Sequence, residues 1–228
     1  MAATAGILTD IEGTTTPIAF VHRTLFPFAR TRMAAFIATH RTEPEVAAAL
    51  AETEKLAPGR APLDTLLGWM DQDAKVMPLK ALQGLIWRDG YAAGELQSEL
   101  YPDVAPALRR WHAGGLRLAV YSSGSVGAQR LLFGHAPEGD LTPLFAGFFD
   151  TATGAKREAA SYGAIARALD LGPGTLLFLS DVEAELDAAM AAGLATCQLV
   201  RPADGTVASS RHQTAADFAA VSNRFGLR

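Results

Sequence analysis

With 228 residues, 49% of them hydrophobic and 19% charged, the chain is long enough to bury a sizeable core and too apolar for a disordered segment. A formal net charge of −4 without any basic run argues against a nucleic-acid partner, and a lone cysteine, Cys197, makes no internal disulfide. No stretch approaches the roughly 18 apolar residues of a membrane span, and the amino terminus lacks a charged region followed by a long apolar run, so a cytoplasmic protein with no membrane partner is expected.

The chain opens on a short apolar run that ends on acids, Ile7-Leu8-Thr9-Asp10-Ile11-Glu12-Gly13-Thr14-Thr15-Thr16-Pro17. It reads as a buried strand with Asp10 at its tip, a second acid two residues on, and glycine next. Ligands of parallel α/β sheets bind outside the carboxyl ends of the strands, which makes Asp10 and Glu12 candidate chemical groups. In isolation the same residues would suit an ordinary turn. The strand–helix alternation then breaks off. Leu25, Phe28, Arg32 and Phe36 fall at helical spacing with Met33 beside them, and further stripes follow at Val46, Ala49, Leu50 and Thr53, at Leu63, Leu66, Leu67 and Met70, and at Leu79, Leu82, Leu85 and Ile86. Pro44, Pro62 and Pro78 stand just ahead of periodic segments, where a first-turn proline loses no intrahelical hydrogen bond. Four successive helices predict an inserted α-helical unit over residues 19–100, with Trp69 and Trp87 in its core.

The alternation resumes near Tyr101-Pro102-Asp103. A helix carrying Val104, Leu108 and Trp111 stops at Gly114-Gly115, and a strand over Leu116 to Tyr121 ends in Ser122-Ser123-Gly124-Ser125. Helix follows from Val126 to Phe133, then a polar loop from Gly134 to Asp140. Phe145 to Phe149 is a short candidate strand, Lys156 lies in the loop after it, and Tyr162, Ile165, Ala166 and Leu169 mark the next helix. Thr175 to Ser180 is a clear strand that ends on Asp181, with Glu185 one turn into the following helix. A further strand runs from Ala195 to Val200. Beyond Arg201 only Phe218 and Val221 suggest a helix. Residues 1–18 and 101–228 together predict a doubly wound, mainly parallel α/β core.

In such a sheet the strand tips converge, so Asp10, Glu12, Ser122, Ser123, Lys156 and Asp181 are predicted to meet at one rim. Carboxylates from two tips can hold Mg²⁺, and a carboxylate can act as nucleophile toward phosphorus. Hydroxyls, N–H groups and a lysine can neutralise the transferring phosphoryl group. Each part has a plainer reading. Ser122 and Ser123 are also suited to cap a helix, Lys156 to face solvent, and Asp181 and Glu185 to occupy a helix first turn. The histidines show no metal-ligand spacing; His22, His112, His135 and His212 are expected at the surface or in loops, and Cys197 as a buried, inert thiol.

Asp10-Ile11-Glu12-Gly13-Thr14, Ser122, Lys156 and Asp181 with Glu185 resemble the four motifs of the haloacid dehalogenase-like phosphohydrolases. Their usual first motif has aspartate where Glu12 stands. That departure, together with Tyr121-Ser122-Ser123-Gly124-Ser125-Val126, Phe149-Asp150-Thr151, Phe178-Leu179-Ser180-Asp181-Val182, Glu185-Leu186-Asp187-Ala188-Ala189 and Leu82-Gln83-Gly84-Leu85-Ile86-Trp87, is similar to the enolase-phosphatases of methionine salvage. The resemblance implies a Rossmann-like core with an inserted helical cap and one Mg²⁺ per chain held by Asp10, Glu12 and Asp181. It further implies Asp10 as nucleophile, Glu12 as acid/base, and Ser122, Ser123 and Lys156 on the phosphate. The implied substrate is 2,3-diketo-5-methylthiopentyl 1-phosphate, enolised and then dephosphorylated to an acireductone, with Glu12 and Lys156 both candidates for removing the carbon-bound proton. A monomer is expected, because the assigned helices leave no exposed apolar stripe. A capped phosphatase acting on another ester, or a phosphoacceptor domain of the response-regulator kind, would use similar strand-end groups; the long insertion weighs against the second.

Overall fold

The computed structural model describes residues 3–227; residues 1, 2 and 228, assigned above to the core, lie outside the described residues. Strand β1 (Gly6–Thr9) is followed by a helical turn, α1 (Ile18–Phe20), and then by α2 (Phe26–His40), α3 (Pro44–Leu56), α4 (Pro62–Asp71) and α5 (Met77–Ala92). After these come α6 (Val104–Ala113), β2 (Arg117–Tyr121), α7 (Val126–Gly134), β3 (Phe145–Phe149), α8 (Ala159–Ala168), β4 (Leu176–Ser180), α9 (Glu183–Ala191), β5 (Ala195–Leu199), β6 (Gln213–Ala215) and α10 (Phe218–Phe225). The chain divides into two compact units: residues up to Ile18 together with those from Ser98 onward, and Ala19–Gln97.

In the first unit six strands form one sheet in the order β3-β2-β1-β4-β5-β6, every pairing parallel. Alternation of side chains along each strand separates two apolar faces. Leu8, Ala119, Tyr121, Leu176 and Phe178 pack with Tyr162 and Ile165 of α8, with Leu169 just past its end, and with Leu186 and Ala189 of α9. The intervening residues, Ile7, Leu118, Val120, Leu177 and Leu179, are buried as well, as are Leu108 and Trp111 of α6 and Phe218 and Val221 of α10. Trp111 stacks on Phe218 with centroids 5.1 Å apart, and its indole N–H donates to Ser222 Oγ at 2.9 Å, satisfying a buried donor. The connections reverse direction between β1 and β4, the switch point at which a doubly wound sheet opens a crevice. Strand β6 is not legible in the polar tail; it adds only three residues, and Gln213 at its start is exposed.

In the second unit α2 to α5 enclose Ala29, Met33, Phe36, Ile37, Val46, Ala49, Leu50, Leu66, Leu79, Leu82 and Ile86. Trp69 and Trp87 are half-buried and pack against this cluster from its margin rather than inside it. Part of the reason is that the Trp87 indole N–H must reach an acceptor and donates to the Leu25 carbonyl at 2.8 Å. A one-turn π-helix, Val21–Leu25, precedes α2 without a break. Pro27 cannot donate to the carbonyl four residues back and its ring crowds that position, and the wider turn before it, with Phe26 N–H bonded to Val21 O, accommodates the ring. Gly90 permits close approach in α5, since a Cβ there would lie 2.4 Å from the Phe28 ring. Among the described residues no helix is long and apolar enough to cross a membrane.

Candidate active site

Strand β1 is central, so the residue after it emerges between two neighbours at the switch point. Asp10 N–H donates to the Leu179 carbonyl at 2.9 Å, and the next residues fold into a tight turn. The Ile11 carbonyl accepts from the amides of Thr14, Thr15 and Thr16, Gly13 N–H donates to Thr16 O at 2.8 Å, and Glu12 bridges to Thr16. Gly13 sits at φ +71°, and a Cβ there would lie 2.5 Å from Asp181 Oδ2. Both the left-handed backbone and the approach of a carboxylate therefore require glycine.

Lys156 is held at this tip. Its side chain is only 9% exposed, and Nζ lies 2.7 Å from Asp10 Oδ1 and 2.7 Å from Glu185 Oε2. Burial pulls the ammonium pKa down, but the two carboxylates outweigh it and the group stands above the ordinary lysine value. The loop bearing Lys156 is fixed from behind: Tyr162 OH donates to the Lys156 carbonyl at 2.6 Å, Tyr121 OH to the Gly154 carbonyl at 2.8 Å, and the two rings meet edge to face. Ser180, the last residue of β4, lies 3.2 Å from Asp10 Oδ2 and 3.1 Å from Glu185 Oε2. With a single hydroxyl proton it serves one of these acceptors at a time. Burial and the neighbouring Asp10 charge raise the Glu185 pKa above the carboxylate range, with Lys156 opposing.

Asp181 follows directly. Its N–H donates to Thr14 Oγ1 at 3.0 Å and its carbonyl accepts from Gln198 Nε2 at 2.9 Å, so the backbone is tied on both sides. The carboxylate is not: Oδ1 is buried without a hydrogen-bond partner. Burial first, and the Asp10 charge second, push its pKa up to about 7. An orphaned buried carboxylate oxygen beside a second carboxylate is a donor set suited to a hard cation. Among the described residues no three acidic, histidine or cysteine side chains form a ready-made cage. Two carboxylates suffice for Mg²⁺, which is commonly bound by one or two and keeps several waters.

At the end of β2, one strand over, Ser122 is buried and Ser123 half-buried. The cap of α7 is neither of them but Ser125, whose Oγ accepts from Ala128 N–H at 3.3 Å. Gln129 ties this loop to β3 by donating to the Gly124 and Phe149 carbonyls, both at 2.8 Å. His22 and His112 are exposed. His212 differs from the surface expectation: its side chain is fully buried, with Nε2 2.9 Å from Asp187 Oδ1 and Nδ1 3.0 Å from Thr196 Oγ1.

The model of the haloacid dehalogenase-like hydrolases matches residues 4–193. Two relatives called enolase-phosphatase E1 are similar over nearly the whole length. The one from Acidiphilium cryptum is 61% identical over 96% of this chain and 94% of its own, and the one from Granulibacter bethesdensis is 61% identical over 97% and 96%. This chain belongs to the enolase-phosphatase E1 family of the haloacid dehalogenase-like hydrolases. Among solved structures, the UTR4 protein of Saccharomyces cerevisiae superposes with a TM-score of 0.80 at 33% identity, covering 94% of this chain and 98% of that one. CbbY from Rhodobacter sphaeroides, solved with phosphate, shares the fold at TM-score 0.62 and 20% identity, with 95% of each chain covered.

Against the family's motifs, Asp10, Lys156, Glu185 and Asp181 gather at the tips of β1 and β4, while Ser122 and Ser123 stand at the tip of β2 beside β1. The sequence motifs include Ser180 and Thr14 but gave neither a role, although they carry the hydrogen bonds between these parts. Ser180 was concealed as the last residue of an apolar run. Thr14 was concealed among three consecutive threonines.

Proposed function

We propose that this chain is a Mg²⁺-dependent enolase-phosphatase that converts 2,3-diketo-5-methylthiopentyl 1-phosphate to the acireductone and inorganic phosphate. The observation that carries the reading is the Lys156 ammonium shared by Asp10 and Glu185 at the tip of the central strand, beside an Asp181 carboxylate oxygen that has no protein partner. Asp10 and Asp181 would hold Mg²⁺ through their carboxylates and Glu12 through its backbone carbonyl, its carboxyl group serving as acid and base; when bound, the ion supplies positive charge to phosphoryl and carbonyl oxygens.

In the phosphatase step an Asp10 oxygen forms a bond to phosphorus as the ester oxygen leaves, and Glu12 supplies the proton that the leaving oxygen takes. Water then cleaves the aspartyl-phosphate and regenerates Asp10. Lys156 directs two of its three N–H bonds to Asp10 and Glu185, leaving the third for a phosphoryl oxygen, with the Ser122 and Ser123 loop on the same rim. Lys156 and Glu12 are the two candidates for removing the carbon-bound proton in the enolisation. Lys156, kept as an ammonium by two carboxylates, is a poor base at neutral pH, so we assign that role to Glu12. Ala19–Gln97 is proposed as the cap that excludes water and receives the methylthio end. We further propose that the enzyme works as a monomer in the cytoplasm.

The test is turnover of the diketone phosphate with and without Mg²⁺, following released phosphate and the ultraviolet absorbance of the conjugated enediol. Wild type should give both signals in excess over enzyme, and Asp10→Asn should release no phosphate. Phosphate release from simple esters without any enediol signal would reassign the chain to another substrate.

A further inference from the structure

Arg201 follows β5 by two residues and is buried, with 4% of its surface exposed. All five of its N–H bonds are used. Nε and Nη2 donate to the Thr14 carbonyl at 3.2 and 2.9 Å, Nη1 and Nη2 grip Asp103 Oδ1 and Oδ2 at 2.9 Å each, and Nη1 also donates to the Ala216 carbonyl at 3.2 Å. A charge sequestered this completely, and paired through a two-pronged fork, fixes geometry more than a surface pair does.

What it fixes is the turn after the nucleophile. Thr14 is fully buried, its carbonyl takes two bonds from Arg201, and its hydroxyl takes the N–H of Asp181. One residue on each side, Gly13 lies against the Asp181 carboxylate and Thr15 Oγ1 donates to the Asp10 carbonyl at 3.3 Å. A second brace runs alongside. The Arg201 guanidinium stacks on the Tyr101 ring at 4.0 Å, Tyr101 N–H donates to Thr15 O at 3.0 Å, and Tyr101 OH donates to Asp204, whose other oxygen accepts from Ile18 N–H at 3.1 Å. The Thr14–Ile18 run is thereby gripped between Tyr101–Asp103 on one side and Arg201–Asp204 on the other.

We infer that Arg201 is a positioning residue: through the Thr14 carbonyl it sets the spacing between the Asp10 and Asp181 carboxylates, while touching neither. The inference rests on those two residues being the working carboxylates of the function proposed above. A lysine in its place keeps the charge and loses the fork.

The experiment compares wild type, Arg201→Lys and the milder Asp103→Asn, which weakens the fork and leaves the arginine in place. For each, thermal melting, kcat and KM for phosphate release from the diketone phosphate with Mg²⁺, and amide hydrogen exchange over residues 8–20 are measured. A misplacement near 1 Å predicts a fall in kcat of about 100-fold for Arg201→Lys with KM little changed, since such displacement acts on the reacting geometry. Exchange over residues 8–20 should quicken while β2 and β5 stay protected. Asp103→Asn should shift both readouts in the same direction by less, and it decides the matter if Arg201→Lys does not fold. A variant that melts at lower temperature yet keeps wild-type kcat and wild-type exchange in that segment would overturn the inference and leave Arg201 a stability residue. Wild type that releases no phosphate would sink the proposed function, and the exchange comparison, which needs no turnover, would still decide for or against Arg201.

Discussion

Replacing Asp181 by asparagine should stabilise the metal-free protein at alkaline pH while removing its response to Mg²⁺. Asp181 is held from 3.8 up to about 7 by burial and by Asp10. A carboxylate whose folded pKa is raised contributes stability fully only below its unfolded value, and the contribution is lost as pH climbs to the folded value. Between pH 3.8 and about 7 the native protein therefore holds a proton that the unfolded chain has released, and stability falls across that window. By pH 8 the whole difference, about 4 kcal/mol at 1.36 kcal/mol per pKa unit, has gone. Asparagine escapes it but leaves amide protons to be satisfied, which offsets roughly 1–3 kcal/mol. The net expectation is a variant about 2 kcal/mol more stable than wild type at pH 8 in chelator and no more stable near pH 4. Urea unfolding at the two pH values, each with chelator and with Mg²⁺, gives the comparison. Wild type at pH 8 should gain about 2.7 kcal/mol when Mg²⁺ reaches 100 times its dissociation constant, and the variant should gain almost none. An Asp181→Asn protein that is less stable than wild type at pH 8 without metal, or that responds equally to Mg²⁺, would refute the reasoning.

Lys156→Met leaves two buried carboxylate oxygens that each lay 2.7 Å from the same nitrogen and so stand within 5.4 Å of one another. Their repulsion at an effective dielectric constant near 20 is about 3 kcal/mol. The variant should lose phosphate release and melt lower, with the deficit larger at pH 8 than at pH 5, where one carboxylate takes a proton; a pH-independent deficit would contradict this. Glu12→Asp draws the carboxyl group back by about 1.5 Å and should lower enediol formation and phosphate release together; equal turnover would argue against a positional role. Burial pushes the Cys197 thiol up to about 11, so the native protein should react with thiol reagents at pH 8 only as it unfolds. Fast native labelling would count against that burial.

The parallel core and the α-helical insertion were legible because their signals are local: strands of four or five residues that are mostly apolar, and stripes such as Leu79, Leu82 and Ile86 that recur at the helical interval. The acids were legible because each closes or follows such a run. Arg201 was not legible, since its partners Thr14, Asp103 and Ala216 are distant in sequence and nothing local distinguishes a buried arginine from a solvated one. The burial of His212 was not legible for the same reason, its partner Asp187 lying on α9, 25 residues back. The π-turn before Pro27 was hidden by a stripe, Leu25 to Phe36, that is compatible with uninterrupted α-helix.

The central place of β1 bears on how the protein is made. Its hydrogen-bonding neighbours are residues 117–120 on one edge and 176–179 on the other. A ribosome adding ~5–20 residues per second exposes this apolar segment about ten to thirty seconds before its second neighbour emerges. The segment that ends on Asp10 is thus among the first synthesised and waits for its second neighbour until most of the chain has emerged. Over that interval one edge of it stays open after residues 117–120 emerge, and an open apolar edge is a template for pairing with another nascent chain.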